Sequence, residues 1–284
     1  MFDEPTSNES SYFIDAENAA EMARLTKQDR FLTEAMGGLF AERSDIENMK
    51  TILDLGCGPG QWVLDVAFAY PDVEVAGIDI SEIMVRYAAA RARSQHLNNA
   101  SFQAMDITQP LDFSDNTFDL INGRLIAFLT SEQWAILLQE CQRILRPGGV
   151  LRLTESEVST TSPSTDKLFG LFYQAMSRAR QSFSPSGRVL GITPRLPHLL
   201  RHTGYTNIQY KGHALDFSAG SEGHVVICDV VDVMFTLMQP FLVNVGVVTQ
   251  EELTHLLQQM RIEMRTNDFC AVMFLLTAWG EKPQ

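Results

Sequence analysis

Residues 53–60 read Leu-Asp-Leu-Gly-Cys-Gly-Pro-Gly, and no other feature restricts the fold of this chain as much. Ile52-Leu53-Asp54-Leu55 has the character of a strand and residues 61–69 that of a helix. Between them, glycines at i, i+2 and i+4 allow a tight turn and a close approach of backbone to ligand. The helix that opens there offers unpaired N–H groups. A dinucleotide-binding turn is spaced G-x-G-x-x-G. Here the third glycine comes one residue early, Pro59 removes a donor, and no lysine follows as a phosphate loop requires. A pyrophosphate cradle is therefore the weaker reading.

Around this turn the hydrophobic period alternates between short apolar runs and amphipathic stretches, the pattern of βα units on a parallel sheet. Strands are expected at 73–80, 101–105, 118–122 and 150–154, with a helix over 82–95. Another helix is expected from a Ser131 cap through Leu145, stopped by Arg146-Pro147-Gly148-Gly149. Residues 156–164 read as a polar loop, followed by helices at 166–180 and 195–202 and a sixth strand at 205–210. Residues 217–266 are mostly helical in pattern, and 269–279 form an apolar last strand. Near the start, Ala19, Met22, Ala23, Leu25, Phe31, Leu32, Ala35 and Met36 make a helical apolar stripe that ends at Gly37-Gly38.

Two carboxylates accompany the glycine turn. Asp79, in Gly77-Ile78-Asp79-Ile80-Ser81, ends the second strand, where it can accept hydrogen bonds from both hydroxyls of a ribose. The competing role is a helix cap, which Ser81 already fills. Asp106, in Ala104-Met105-Asp106-Ile107, can accept from an adenine amino group between apolar neighbours, or serve as an ordinary loop aspartate.

With 22 Lys plus Arg against 35 Asp plus Glu, the net charge is −13. Such a chain repels phosphate backbones and anionic headgroups, so nucleic acid and membrane surfaces are not expected as partners and a small molecule is. The sequence has neither a signal-like start nor an apolar stretch of about 18 residues. A cytoplasmic location without membrane insertion is expected. Cys57, Cys141, Cys228 and Cys270 are widely spaced and expected to be reduced and mostly buried. His198 and His202 share a helix face but have no third ligand nearby in sequence, so no metal is expected.

Taken together, LDLGCGPG (53–60), GIDIS (77–81), AMDI (104–107), NTFDLINGR (116–124) and ILRPGGVLRL (144–153) resemble the class I S-adenosylmethionine-dependent methyltransferases, in order and spacing. The ubiquinone/menaquinone-type branch is the nearest in character. The resemblance implies an α/β fold: a Rossmann-like, seven-stranded, mostly parallel sheet with the last strand antiparallel. It also implies a helical cap from the N-terminus and an insert before the last strand. The corresponding division is an N-terminal helical lid (1–48), a cofactor-binding domain (49–216 with 267–284) and a substrate cap (217–266).

Carried over by position, Gly56, Gly58 and Gly60 lie along the methionine part of the cofactor. Asp79 takes the ribose, Ile80 packs on the adenine, and Asp106 meets its amino group with Met105 and Ile107 beside it. Asn122, Gly123 and Arg124 face the sulfonium and the substrate. Asp54 either reaches the cofactor's ammonium or braces the glycine turn. Tyr12, Arg24 and Gln28 are candidates for closing over the cofactor. Glu155 and Glu157, on one face by strand alternation, are candidate proton acceptors or cation stabilisers, or else solvated loop carboxylates. Met234, Phe235, Met238 and Phe241 suit a hydrophobic pocket. The expected reaction is C- or O-methylation of a hydrophobic small molecule of quinone, polyketide, terpenoid or aromatic type. The alternative is a cofactor-binding protein without methyl transfer, a regulator or a cyclase.

Overall fold

The computed structural model describes residues 12–15 and 18–284; the opening part of the expected 1–48 lid lies outside the described residues. After helix α1 (Ala19–Ala35), strands and helices alternate as β1 (Thr51–Leu55), α2 (Gln61–Ala69), β2 (Glu74–Asp79), α3 (Glu82–Ser94) and β3 (Ala100–Ala104). Next come β4 (Phe118–Arg124), α4 (Ser131–Ile144), β5 (Leu145–Thr160), α5 (Pro163–Arg178), α6 (Leu196–His202) and β6 (Thr206–Asp216). Helices α7 (His224–Leu237), α8 (Gln239–Asn244) and α9 (Gln250–Glu263) precede β7 (Ala271–Glu281).

The strands form one sheet in the order β3-β2-β1-β4-β5-β7-β6. The first five are parallel, and β7 runs antiparallel to both its neighbours. Helices cover both faces, so the central strands are apolar on both sides. Ile52, Leu120 and Val150 pack with Trp62 and Val63 of α2, and Leu53, Ile121 and Leu151 pack with Trp134 and Leu137 of α4.

Four local expectations are corrected. Residues 156–160 are not a loop: β5 continues through them, with Ser156 opposite Leu275, Val158 opposite Met273 and Thr160 opposite Ala271. The antiparallel ladder with β7 takes up the backbone groups that face it, which outweighs the turn preference of Ser and Thr side chains. The cap of α4 is Thr130, not Ser131. Its hydroxyl accepts from the Gln133 N–H while the Gln133 side chain accepts from the Thr130 N–H, a closed capping box.

The Arg-Pro-Gly-Gly segment belongs to the start of β5, which pairs with β4 through an irregularity between Phe118 and Leu120. Gly149 is needed there, because a Cβ would stand 2.8 Å from the Arg146 carbonyl oxygen. Finally, the inner face of α1 is not an apolar stripe. Glu21 and Arg24 are buried with Leu32, whereas Ala19, Ala23 and Ala35 are exposed.

Helix α1 lies along α7. Lys27 Nζ bonds to Asp229 Oδ2 at 2.5 Å, and the Phe31 ring occupies the space where a Cβ on Gly223 would be 2.7 Å away. All four cysteines are free; Cys57 and Cys141 are buried, but Cys270 is exposed, against expectation. Among the described residues no helix is long and apolar enough to cross a membrane.

Candidate active site

A cavity of about 1810 Å³, counting its open mouth, lies at the carboxyl ends of β1 to β5 under α1 and α7. Strand ends in a doubly wound sheet diverge there and leave a crevice for ligands. One half of the cavity is lined by the glycine turn and the carboxylates of Asp54, Asp79 and Asp106. The other half is apolar, with Phe169, Phe172 and Met176 from α5, Val230, Val231 and Met234 from α7, and Met273 from β7.

The three turn glycines do different work. Gly56 and Gly58 line the cavity with φ of +62° and +52°. A Cβ on Gly58 would meet only Leu25 Cδ1, at 3.5 Å. Gly60 does not line the cavity. A Cβ there would stand 2.6 Å from both Ala88 of α3 and the Phe102 ring of β3, so this glycine serves helix-to-sheet packing.

Asp79 holds the turn and still faces the cavity. Its Oδ2 accepts from the Gly58 N–H and its Oδ1 from the Ser81 N–H, both at 2.9 Å. Burial pushes its pKa up, and the two N–H bonds oppose that shift. Asp106 accepts both the Thr108 N–H and hydroxyl on Oδ1, which leaves Oδ2 for a ligand. Met105 and Ile107 flank it on the cavity wall, and Ile80 lies there 42 % exposed.

Asp54 ends a buried polar chain that crosses three strands. Glu42 pairs with the Arg152 guanidinium, which donates to Asn122 Oδ1 at 2.6 Å; Asn122 Nδ2 then donates to Asp54 Oδ1 at 2.7 Å. Because Arg152 only donates, it fixes the Asn122 amide so that its NH₂ points at Asp54. Burial raises the Asp54 pKa to about 7, opposed by Asn122 and the Arg152 charge. A cationic ligand would ionise it. Asn122 is fully buried and does not line the cavity; it positions Asp54.

Tyr12, Arg24 and Gln28 line the roof. The Arg24 guanidinium is engaged twice by Glu21, at 2.6 and 2.7 Å, and also donates to Gln28 Oε1 at 2.7 Å. Tyr12 donates to Glu21 Oε1 at 2.5 Å, and burial pushes its phenol far above its ordinary pKa. Arg124 lines the cavity paired with Asp29 and bonded to Thr33 Oγ1 at 3.0 Å. Its guanidinium also lies 5.7 Å from the Trp62 ring centroid. Burial, helped by the Arg152 charge, lowers its pKa to about 9, so it stays a cation at neutral pH beside Asp29.

Glu155 and Glu157 separate. Glu155 is 2 % exposed and lines the cavity, its Oε1 accepting from the Ile126 N–H at 2.8 Å. Glu157 does not line it; its Oε1 accepts from the Gly191 N–H at 2.9 Å and fastens the segment that carries Leu190 into the cavity wall. Of the four α7–α8 residues singled out, Met234 reaches the cavity, whereas Phe235 and Met238 are fully buried core. His198 and His202 stack, centroids 5.8 Å apart, and line no part of the cavity.

Sequence reasoning missed Glu21, Asp29, Glu42, Trp62 and Arg152. Leu25, Gln28, Asp29 and Leu32, spaced i, i+3, i+4, i+7, do carry a signal, since they form the cavity-facing stripe of α1. Asp29 Oδ2 and Trp62 Nε1 are both buried on the cavity wall without a hydrogen-bond partner among the described residues.

This donor set fits S-adenosylmethionine. Three carboxylates on the ends of successive strands match a ligand with an ammonium, a vicinal diol and an exocyclic amine, and they repel a pyrophosphate. The orphaned Trp62 N–H and the open space above Gly58 lie on the same cavity wall.

Comparison with known proteins agrees. Residues 52–149 match a methyltransferase domain family. Demethylmenaquinone methyltransferase from Geobacillus sp. (strain WCH70) is 26% identical over 203 residues, 64% of this chain and 82% of that protein. Among solved structures, Haemonchus contortus phosphoethanolamine N-methyltransferase 2 in complex with S-adenosyl-L-methionine is 19% identical. Its TM-score is 0.53, over 95% of this chain and 60% of that one. The [4+2]-cyclase SpnF is 20% identical with a TM-score of 0.52, over 94% of this chain and 97% of that one. Residues 52–149 thus form a methyltransferase domain of the class I S-adenosylmethionine-dependent type, set in a chain whose fold is shared with those structures.

Proposed function

We propose that this chain methylates a hydrophobic small molecule at carbon or oxygen. The observation that carries the reading is the division of one cavity into a carboxylate-rich half and an apolar half walled by Phe169, Phe172, Met176, Val230, Met234 and Met273. The methylation of a quinone-type acceptor by the Geobacillus relative is consistent with such a wall.

Gly56 and Gly58, Asp79 and Asp106 would hold the cofactor, and Asp54, as the carboxylate, would fix its amino-acid end. When bound, the cofactor supplies a sulfonium-activated methyl group. The protein's task is then to align an acceptor and exclude water. Tyr12, Arg24 and Gln28, held rigid by Glu21, close the roof, and Arg124 with Asp29 seals the junction between α1 and β4. The N-terminal helix acts as the lid and the α7–α9 segment as the substrate cap.

The test is transfer of label from methyl-labelled S-adenosylmethionine to a panel of quinols, polyketide phenols and terpenoids, with Asp79→Ala as control. Labelled product that disappears in the variant supports the reading. Tight cofactor binding with no labelled product in any pool favours the second reading, a binding protein or cyclase. That reading is supported by the burial of Glu155, which holds the glutamate on the cavity wall well above the usual carboxylate range and so unsuited to take a proton.

A further inference from the structure

Glu155 lines the cavity from β5, next to Val158 of the same strand, and its surroundings do not suit a charge. It is 2 % exposed, and its bonding is a single backbone N–H, that of Ile126, at Oε1. Among the described residues no cation pairs with it, and the charge acting on it from nearby is the like-signed Glu157. Oε2 has no protein partner, yet it is not sealed from solvent-sized space, because Glu155 contributes to the cavity surface. A buried carboxyl with these neighbours keeps its proton. It then offers an acidic O–H to whatever occupies the apolar half, on a wall whose other nearby hydroxyls are those of Ser156 and Tyr173.

We propose that Glu155 is a specificity-determining residue that works as a neutral acid, donating a hydrogen bond to an oxygen of the acceptor. The acceptor class is thereby narrowed to uncharged, largely apolar molecules with a carbonyl, ether or hydroxyl oxygen near the methylated atom. Carboxylate- or phosphate-bearing acceptors are disfavoured, because their charge would be desolvated against the apolar wall. This inference rests on the reading of the apolar half as the acceptor site.

The experiment uses two fluorescent probes of nearly equal shape, 2-acetylnaphthalene and 2-isopropenylnaphthalene, titrated into the full chain saturated with S-adenosylhomocysteine. The quantity read is the preference, the ratio of the two dissociation constants, in wild type, Glu155→Gln and Glu155→Leu. Glutamine keeps an oxygen for Ile126 and places an N–H where the acid proton stood. The preference for the ketone should stay within about threefold of wild type in Glu155→Gln. In Glu155→Leu it should fall about tenfold, the ratio that corresponds to one neutral hydrogen bond of about 1.4 kcal/mol.

Circular dichroism and S-adenosylhomocysteine affinity report on folding, and Glu155→Met replaces the leucine variant if that variant does not fold. An unchanged preference in Glu155→Leu overturns the proposal, as does a loss in Glu155→Gln equal to that in leucine. Failure of both probes to bind wild type that holds S-adenosylhomocysteine also overturns it, while leaving the cofactor assignment intact. Failure to bind S-adenosylhomocysteine strikes instead at the functional reading beneath it.

Discussion

Replacing Gly60 by alanine separates the packing role of the glycine turn from its binding role. The residue has φ +76°, where an L side chain costs about 1–2 kcal/mol. The new methyl group would lie 2.6 Å from Ala88 Cβ and from Phe102 Cε1, both well-packed atoms on the adjoining helix and strand. Relieving that overlap costs a further 1–3 kcal/mol or so, giving roughly 2–5 kcal/mol in all. For a chain of 284 residues that corresponds to a fall in Tm of roughly 3–8 °C.

Because Gly60 does not line the cavity, its variant should bind S-adenosylhomocysteine within about threefold of wild type wherever both are folded, as measured by calorimetry. Gly58→Ala should show the reverse: its Cβ meets only Leu25, so stability falls by about 1–2 kcal/mol, yet the methyl group fills cofactor space and affinity drops more than tenfold. A Gly60→Ala protein that melts with wild type but has lost cofactor affinity would refute the reasoning.

Other consequences are as direct. Asp54 holds its proton to about pH 7 in the folded chain and to 3.8 in the unfolded one. The folded state therefore binds more protons between those values, and the stability this confers is full below 3.8 and lost as pH rises toward 7. Cofactor binding at pH 6 should release about one proton per site, seen as buffer-dependent heats, and Asp54→Asn should abolish that release. Arg152→Met leaves Glu42 buried without its cation and should cost about 3–5 kcal/mol in urea unfolding, largely restored by Glu42→Leu in the same chain. Lys27→Ala removes only the exposed pair with Asp229 and should cost no more than about 1 kcal/mol in the same assay.

The sequence made some of this site legible and hid the rest for physical reasons. Gly56, Gly58, Asp79 and Asp106 are tied to strand ends by short-range spacing, so the turn and its carboxylates could be placed from the pattern alone. Arg152 sits mid-strand among apolar residues, and its partners Glu42 and Asn122 come from distant segments. Only the order of strands brings them together. Polarity misled at α1, where Glu21 and Arg24 are buried because they neutralise each other. Alternation put Glu155 and Glu157 on one face of β5, but it carries no information that Gly191 would cover the second of them. The polar run 156–160 became strand because β7, far along the chain, supplies its ladder.

That last strand governs how the sheet is assembled. Among the described residues β6 pairs only with β7, so β6 is joined to the rest of the sheet through β7 alone. Docking β7 closes a loop of 110 residues between Thr160 and Cys270, on the order of 4 kcal/mol in chain entropy recovered only when the ladder forms. Two strands and the Met273 wall of the cavity therefore depend on that one long-range ladder. Any lesion that loosens β7 removes β7 and the edge strand β6 together, and leaves the parallel half of the sheet with an open, aggregation-prone edge at β5.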